Sequence, residues 1–393
     1  MPPTNDHLPP LPLPEGITSN YVDCPIIGLN FHYLEAGYDP STTKPLLLLL
    51  HGYPELAFSW RKVMPSLAAA GYHVVAPDQR GYGRTTGWDT RPHAETDLST
   101  FTSITIARDL VVFVAALGYK EVACVVGHDF GAVSASSCAI FRPDIFKMLV
   151  LMSHPFKAFP SLPFGTAHTS SSGAHDQSGI VGTDLTDDLA KLNPPRKHYK
   201  WYHSSPPAAQ DMLSAPQGLK AFLRGYIHAK SADYSKNYPH PLKEWSAEEV
   251  AKMPHYYIMP KDKTMPETIL DMMKDEDASV TTKWLPEESL DVYVQEWSRT
   301  GFQGGLNWYR AQTNPATAAD VLLFSGKNIE VPTVFVSGQQ DWGNYQQPGA
   351  IESMAKSCSA YHGARFVDGA GHWPQQEQPV RVVEEILGFL RNL

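Results

Sequence analysis

The chain has 393 residues, 42% of them hydrophobic, and a formal net charge of −9 at pH 7. This length and apolar content predict a globular protein with one large domain, or a domain that carries a sizeable insertion. The negative charge argues against a nucleic-acid partner. The four cysteines lie far apart, match no metal-binding spacing and favour a reducing compartment: Cys24, Cys124, Cys138 and Cys358.

The N-terminal segment is rich in proline and lacks the basic and apolar regions of a signal peptide. We expect residues 1–20 to form an extended arm. The longest aliphatic run, residues 46–50, is too short to cross a bilayer. These features predict a cytoplasmic protein without a membrane span.

Short apolar segments alternate with helical patterns in the first part of the chain. The run at residues 45–50 is almost continuously aliphatic, as expected for a strand inside a sheet that is covered on both faces. The alternation predicts a mostly parallel sheet. The predicted strands are 31–35, 45–50, 72–76, 121–126 and 147–152, and the predicted helices are 60–70, 104–117 and 132–141.

The pattern changes between residues 153 and 320, where helical segments rich in aromatic residues replace the alternation. Within this region we predict a loop at 161–182 and a further insertion at 252–286. After residue 330 the alternation returns. The later predicted strands are 331–337 and 365–367, and the later predicted helices are 349–357 and 380–390. We therefore predict a core formed by residues 1–152 and 321–393, interrupted by a helical cap at 153–320.

A strand, a tight turn and a helix meet at residues 125–132. Gly127 and Gly131 stand where a strained strand-to-helix turn tolerates little side chain, as in the nucleophile elbow of α/β-hydrolases. The central residue is Asp129 instead of the usual serine. A carboxylate can displace a leaving group from a saturated carbon and form an ester that water then cleaves, whereas a serine would leave an ether. Asp129 therefore predicts cleavage of carbon–oxygen or carbon–halogen bonds through a covalent intermediate.

The elbow and the alternation together predict an α/β-hydrolase core with a mostly parallel central sheet and an inserted helical cap. In this fold the acid and then the histidine follow the nucleophile along the chain. Asp341 lies in a loop after a predicted strand, and His372 lies in a glycine-rich loop after the next strand. We expect His372 to take a proton from the hydrolytic water and Asp341 to set its tautomer.

An oxyanion hole is expected near the elbow. Residues 51–54 follow the strand at 45–50, at the position of the loop that donates a main-chain N–H in this fold. We predict donors from the main chain of Tyr53 and Phe130. The turn at 78–83 is predicted to be structural, with Arg80 in an ion pair.

With these segments placed, the chain resembles the α/β-hydrolase-fold epoxide hydrolases. The matching segments are 51–54, 80–83, 127–131, Asp341, 371–373 and, in the cap, 301–310. The resemblance implies that two cap tyrosines bind the epoxide oxygen and protonate it, because an alkoxide is a poor leaving group. Tyr309 matches the second of these tyrosines. Tyr199 is our choice for the first, and Tyr202 is the alternative.

Two other functions compete with this prediction. Haloalkane or haloacid dehalogenases of this fold use the same nucleophile, but they need halide-binding donors, often a tryptophan directly after it. Phe130 occupies that position and lacks an indole N–H. A ligand-binding protein that has lost catalysis is the second alternative, and the complete set of candidate catalytic residues argues against it.

The remaining candidate residues of the substrate pocket flank these motifs: His51, Pro54, His128, Tyr202, Trp308, Trp342 and Trp373. Because the predicted lining is aromatic and uncharged, an apolar or aromatic epoxide is favoured over a charged one. The sequence thus predicts an epoxide hydrolase that forms vicinal diols without a cofactor or metal ion and acts as a monomer or homodimer.

Overall fold

The computed structural model describes residues 8–159 and 185–391. Within these ranges, eight strands form one sheet in the order β1-β2-β4-β3-β5-β6-β9-β10, and two short strands, β7 and β8, form a separate antiparallel pair. The strands are β1 Ile17–Cys24, β2 Leu29–Ala36, β3 Leu46–Leu50, β4 His73–Pro77, β5 Cys124–His128, β6 Leu149–Met152, β7 Arg196–His198, β8 Ile258–Pro260, β9 Thr333–Gly338 and β10 Tyr361–Val367.

The sheet is mostly parallel, as the alternation predicts. Strands β4, β3, β5, β6, β9 and β10 run parallel to one another, and the antiparallel pairs of this sheet are β1 with β2 and β2 with β4. Strand β6 pairs directly with β9, with Leu149 opposite Thr333. The whole segment between these two strands is therefore inserted at one point of the sheet, beside the strand that leads into the elbow.

Helices pack on both faces of the sheet and form the inserted region. The core helices before the insertion are α1 Met64–Ala69, α2 Ser103–Ala116 and α3 Phe130–Phe141. The helices of the insertion are α4 Thr186–Lys191, α5 Tyr199–His203, α6 Ala208–Leu213, α7 Leu219–Lys230, α8 Ala247–Val250, α9 Met265–Met272, α10 Glu287–Thr300, α11 Gln303–Thr313 and α12 Pro315–Ala318. The helices after it are α13 Ala350–Ser357, α14 Pro374–Glu377 and α15 Pro379–Arg391.

Strand β3 illustrates how the apolar sequence creates this layering. Its five leucines are all buried, because both faces of the strand are covered. Leu46, Leu48 and Leu50 belong to the apolar cluster that includes α2, α3 and the insertion. Leu47 and Leu49 belong to the opposite cluster, which includes α1 and α15. The side-chain alternation of a strand thus joins one segment to two helical layers.

The structure corrects two details of the prediction. Residues 17–20 of the expected arm belong to β1, an edge strand whose partly polar, partly exposed residues weaken the apolar pattern. The helix expected at 60–70 begins only at Met64, because a 3₁₀ turn occupies Ala57–Trp60 and Pro65 stands in the first turn of the helix. The loop expected at 161–182 lies outside the described residues.

No helix in the described ranges combines the length and the apolar character that a membrane span requires. All four cysteines are buried as free thiols. The turn that follows β4 has the structural role expected of it, because Nε of Arg80 lies 2.6 Å from Oδ2 of Asp109 in a buried ion pair.

Candidate active site

Asp129 stands between β5 and α3 in a strained backbone conformation, with φ of 53° and ψ of −117°. A non-glycine residue with positive φ costs on the order of 1–3 kcal/mol and is typical of functional turns. The turn is also tightly packed. A Cβ at Gly127 would collide with the carbonyl of Gly131, and one at Gly131 would collide with that of Leu50. A Cβ at Gly52 would collide with the side chain of Asp129. These three glycines therefore let the elbow close around the carboxylate.

His372 lies between two carboxylates. Its Nδ1 donates to Asp341, 3.0 Å from Oδ2 and 3.1 Å from Oδ1. Its Nε2 lies 3.3 Å from Oδ2 of Asp129, without the alignment of a hydrogen bond. Asp341 is held by the main-chain N–H of Gly343 at 2.6 Å. Because Nδ1 carries the proton in the neutral ring, Nε2 has the free lone pair of a base.

The electrostatics of these groups follow from their burial and from each other. Burial by itself would raise the pKa of Asp129, but the neighbouring His372 and the charge of Lys230 hold it well below its ordinary value. Burial opposes the protonated form of His372, yet Asp341 and Asp129 together outweigh that effect and raise the pKa of the imidazole. The pKa of Asp341 is lowered against its burial, mainly by His372. Asp129 is therefore ionised at neutral pH.

The expected oxyanion-hole residues adjoin Asp129. The main-chain N–H of Tyr53 donates to Oδ1 of Asp129 at 3.1 Å. Phe130 is the first residue of α3, so its N–H is one of the helix-terminal donors that have no partner within the helix. Both candidate donors are thus main-chain N–H groups.

Two of the three candidate cap tyrosines come together near Asp129. The rings of Tyr199 and Tyr309 meet edge to face with centroids 5.9 Å apart, and the ring of Tyr309 also lies 4.5 Å from that of Phe130. The hydroxyl of Tyr199 donates weakly to Gln346 at 3.4 Å. Burial and then the charge of Asp129 raise the pKa of Tyr199. Burial, followed by Tyr199 and Asp129, raises the pKa of Tyr309. Both phenols are therefore protonated and within the electrostatic range of Asp129.

Tyr202 has a different environment. Its hydroxyl donates to Oδ2 of Asp211 at 2.8 Å, and its ring contacts the ammonium group of Lys197 at 5.0 Å. Burial is the largest cause of its raised pKa, and the acids that act on it are Asp211 and Glu267, not Asp129. Its hydroxyl is thus engaged within the cap.

The other pocket candidates are buried, and most of their polar atoms bond to main chain. Nε2 of His51 accepts from the N–H of Gln79 at 3.1 Å, and Pro54 accepts from the indole of Trp297 at 3.0 Å. The indoles of Trp308 and Trp373 donate to main-chain carbonyls at 2.9 Å. Trp342 packs its ring 4.9 Å from that of His240. Of these residues, Trp308 also lines a cavity of about 340 Å³.

His128 supports the loop that carries His372. Its Nε2 donates to the carbonyl of His372 at 2.6 Å, and its Nδ1 lies 2.7 Å from Oε2 of Glu55.

Glu377 also binds the loop that carries His372. Its carboxylate accepts from the N–H groups of Gly371 and Trp373, each at 3.0 Å, and therefore holds the residues on both sides of the histidine.

Lys230, which the sequence did not predict as part of the site, is a buried cation beside the candidate catalytic groups. Its ammonium group lies 5.2–5.7 Å from the ring centroids of Tyr226, Tyr256, Tyr257 and Trp373. Burial lowers its pKa, while Asp129, Asp341 and Glu55 oppose that shift. Its carbonyl accepts from the N–H of His372 at 2.8 Å.

A signal for Lys230 is present in the sequence. Phe222, Tyr226 and Lys230 follow one another at intervals of four along α7, so the lysine continues an apolar stripe of the helix. A lysine in such a stripe is either paired or held by aromatic rings. The pattern could have predicted that Lys230 is buried. It could not have predicted which carboxylates the ammonium group of Lys230 would face.

The fold and this site define an α/β-hydrolase-fold enzyme with a carboxylate at the nucleophile elbow. A family model described as the alpha/beta hydrolase fold matches residues 45–192. The chain is 31% identical to epoxide hydrolase A of Mycobacterium tuberculosis (strain ATCC 25618 / H37Rv) over 93% of this chain and 95% of that protein.

Solved structures of epoxide hydrolases are also similar to this chain. An epoxide hydrolase from an endophytic Streptomyces superposes with a TM-score of 0.74 at 27% identity, covering 96% of each chain. Potato (Solanum tuberosum) epoxide hydrolase I superposes with a TM-score of 0.70 at 29% identity, covering 96% of this chain and all of that one. The chain belongs to the epoxide hydrolases of the α/β-hydrolase fold, as its motifs predict.

Proposed function

We propose that this protein hydrolyses an epoxide to a vicinal diol in two steps, through an ester on Asp129. The arrangement of the Asp129 carboxylate carries the proposal. Oδ1 accepts the N–H of Tyr53, while Oδ2 faces Nε2 of His372 at 3.3 Å. One oxygen is thus held in place and the other is the nucleophile. The low pKa of Asp129 keeps that oxygen ionised. The strained elbow fixes the position of the carboxylate.

In the first step, Oδ2 of Asp129 attacks one epoxide carbon and the carbon–oxygen bond of the ring breaks. Tyr199 and Tyr309 hydrogen-bond the epoxide oxygen and one of them supplies the proton, so that an alcohol leaves the carbon and not an alkoxide. The contact between the two rings supports this shared role. Proximity contributes strongly, because the nucleophile and the acids act on the ring from opposite sides.

In the second step, His372 takes a proton from water and the resulting hydroxide attacks Cγ of the ester. The negative charge that develops on Oδ1 is stabilised by the N–H groups of Tyr53 and Phe130. The ester bond then breaks, and the departing diol oxygen takes the proton from His372. The proton left on the new carboxyl group of Asp129 returns to the tyrosinate formed in the first step, so that Asp129 is again a carboxylate. Asp341 keeps the imidazole in the tautomer that this step requires.

The aromatic residues around Asp129 support an epoxide whose body is apolar or aromatic. Phe130, Tyr199 and Tyr309 present ring surface next to the nucleophile. The steps above use only protein groups and water, so we propose that no cofactor takes part. The four free thiols support a cytoplasmic location.

A dehalogenase would need N–H donors for the departing halide. The side chain of Phe130 has none, and the indole of Trp308, which contacts it, already donates to the carbonyl of Arg80 at 2.9 Å. These two observations favour the epoxide over the haloalkane as the substrate of Asp129.

A single turnover in oxygen-18 water tests the two-step mechanism. With enzyme in excess over an aryl epoxide, label should enter the carboxylate of Asp129 and the diol should remain unlabelled. Label that enters the diol in the first turnover would indicate direct attack by water. Halide release from small haloalkanes, together with no diol from any epoxide, would indicate the dehalogenase reaction.

A further inference from the structure

A second set of serine, histidine and aspartate side chains lies at the β1 edge of the sheet. Ser19 is on β1, His32 is on the neighbouring β2, and Asp78 directly follows β4, the next strand of the sheet. Oγ of Ser19 lies 2.9 Å from Nε2 of His32, and Nδ1 of His32 lies 2.7 Å from Oδ2 of Asp78. The three side chains thus have the order of contacts that activates a serine in hydrolases.

This cluster is separate from the elbow. Strand β3 lies between β4, which leads to Asp78, and β5, which leads to Asp129. Its two contacts are also shorter than the corresponding ones of His372, whose Nδ1 lies 3.0 Å from Asp341 and whose Nε2 lies 3.3 Å from Asp129. The cluster is therefore assembled as closely as the site that the proposed function uses.

Asp78 forms the buried end of the cluster. Its Oδ1 accepts from the N–H of Ala57 at 2.8 Å, and its Oδ2 accepts from the N–H of Arg84 at 2.9 Å. A Cβ at Gly83 would collide with this carboxylate, so the loop closes tightly around it. Burial by itself would raise the pKa of Asp78, but His32 and the N–H of Arg84 outweigh that effect and lower it. Asp78 is therefore ionised at neutral pH.

His32 is held in the tautomer that a base requires. Because the ionised Asp78 accepts from Nδ1, that nitrogen carries the ring proton, and Nε2 accepts from the hydroxyl of Ser19. The main-chain N–H of His32 donates to the hydroxyl of Thr85 at 3.0 Å, and the ring of Tyr21 packs 5.2 Å from the imidazole. The imidazole is buried and Ser19 is exposed, so a molecule from solvent can reach the hydroxyl.

Ser41 shows how this environment differs from that of another exposed serine. Its hydroxyl donates directly to Oδ1 of Asp39 at 2.6 Å, without an imidazole between them. An imidazole is a stronger base than a carboxylate, so it removes a hydroxyl proton more readily during nucleophilic attack. Ser19 should therefore be the more reactive of the two hydroxyls.

We propose that Ser19 is a second nucleophile of this protein and takes an acyl group from activated esters, independently of epoxide hydrolysis. Oγ of Ser19 attacks the ester carbonyl and forms a bond to its carbon, while Nε2 of His32 takes the hydroxyl proton. The bond from that carbon to the leaving oxygen then breaks, and the leaving alcohol takes the proton from His32. Asp78 stabilises the imidazolium between these events. The products are an ester of Ser19 and one alcohol.

Acetylation by p-nitrophenyl acetate tests this inference, because its leaving group departs with little assistance. After timed reactions of the whole protein, peptide mass spectrometry should find one acetyl group on Ser19. Its rate of formation should exceed that on Ser41 by about 10²–10⁴-fold, which is the usual contribution of a positioned base. Ser41 is thus a matched control within the same molecule.

Variants assign the reaction to the cluster. Ser19→Ala should remove the acetyl group, and Ser41→Ala should leave the rate at Ser19 unchanged. Both positions are exposed, so epoxide hydrolysis by these variants should change less than twofold and show an intact fold. His32→Asn should slow acetylation of Ser19 by about 10²–10⁴-fold. If His32→Asn does not fold, the ratio between Ser19 and Ser41 in the wild type still decides.

Two results would overturn the inference. One is acetylation of Ser19 that is no faster than that of Ser41, and the other is acetylation of lysines alone. The contact between Ser19 and His32 would then be only a structural hydrogen bond at the edge of the sheet. Neither result bears on epoxide hydrolysis, which depends on Asp129 and is measured with a different substrate.

Discussion

The main-chain N–H of Tyr53 donates to Oδ1 of Asp129 at 3.1 Å, so the two oxygens of one carboxylate have different surroundings. Oδ2 lies toward His372 instead. Gly52 permits this approach, because any side chain there would collide with Asp129. The same hydrogen bond that orients the nucleophile would stabilise the ester carbonyl in the second step.

Removing the base should separate the two steps. In His372→Ala, Asp129 can still open the epoxide, but water lacks the group that activates it. Turnover should fall by about 10²–10⁴-fold or more, and intact-mass spectrometry should show the enzyme plus one substrate. Asp129→Asn is the matched control and should form no adduct. Loss of activity in His372→Ala with an unchanged mass would contradict the ester mechanism.

The two neighbouring cap tyrosines should differ in what they contribute. Tyr199→Phe should slow ester formation by about 10²–10⁴-fold, because the departing oxygen loses an acid. Tyr202→Phe should leave ester formation nearly unchanged and lower the free energy of unfolding by about 1 kcal/mol, because Asp211 loses its hydroxyl donor. Stopped-flow single turnovers and urea denaturation measure the two effects. The opposite pattern would make Tyr202 the acid.

The pH dependence of ester hydrolysis should report the ionisation of His372. Only the neutral imidazole can take a proton, so the rate should rise with pH through the pKa of His372, which Asp341 raises against the effect of burial. In Asp341→Asn, burial would lower the pKa of His372 without the charge of Asp341 to oppose it. The acid limb of the pH–rate profile, where the rate rises with pH, should therefore move to lower pH. The plateau should also fall, because the tautomer is no longer set. A limb that stays in place would show that Asp341 does not govern the base.

Replacing Lys230 should move the acid limb of the pH–rate profile to higher pH, opposite to the shift expected for Asp341→Asn. The charge of Lys230 lowers the pKa of His372, so Lys230→Met should shift the acid limb of ester hydrolysis to higher pH. Lys230→Arg keeps the charge and should stay close to the wild type. The pH profile of single-turnover hydrolysis measures the shift, which a merely structural role would not produce. Equal profiles for the methionine and arginine variants would exclude an electrostatic role.

Local patterns in the sequence were sufficient for much of the fold. The buried run of β3, the glycines around Asp129 and the return of alternation after residue 330 each reflect short-range rules of strands and turns. The edge strand β1 was missed for the same reason, since its exposed face breaks the apolar pattern. The predicted start of α1 was four residues too early, because a 3₁₀ segment precedes the first turn of the helix.

The sequence by itself predicted a carboxylate nucleophile at the elbow, since Asp129 stands between two glycines directly after a buried strand. Only the tertiary structure separated Tyr199 from Tyr202, which lie three positions apart in the chain but have different neighbours. It also brought Lys230 close to Asp129 and Asp341. These relationships join elements that are distant in the chain, and the packing of the cap on the core decides them, not residue spacing.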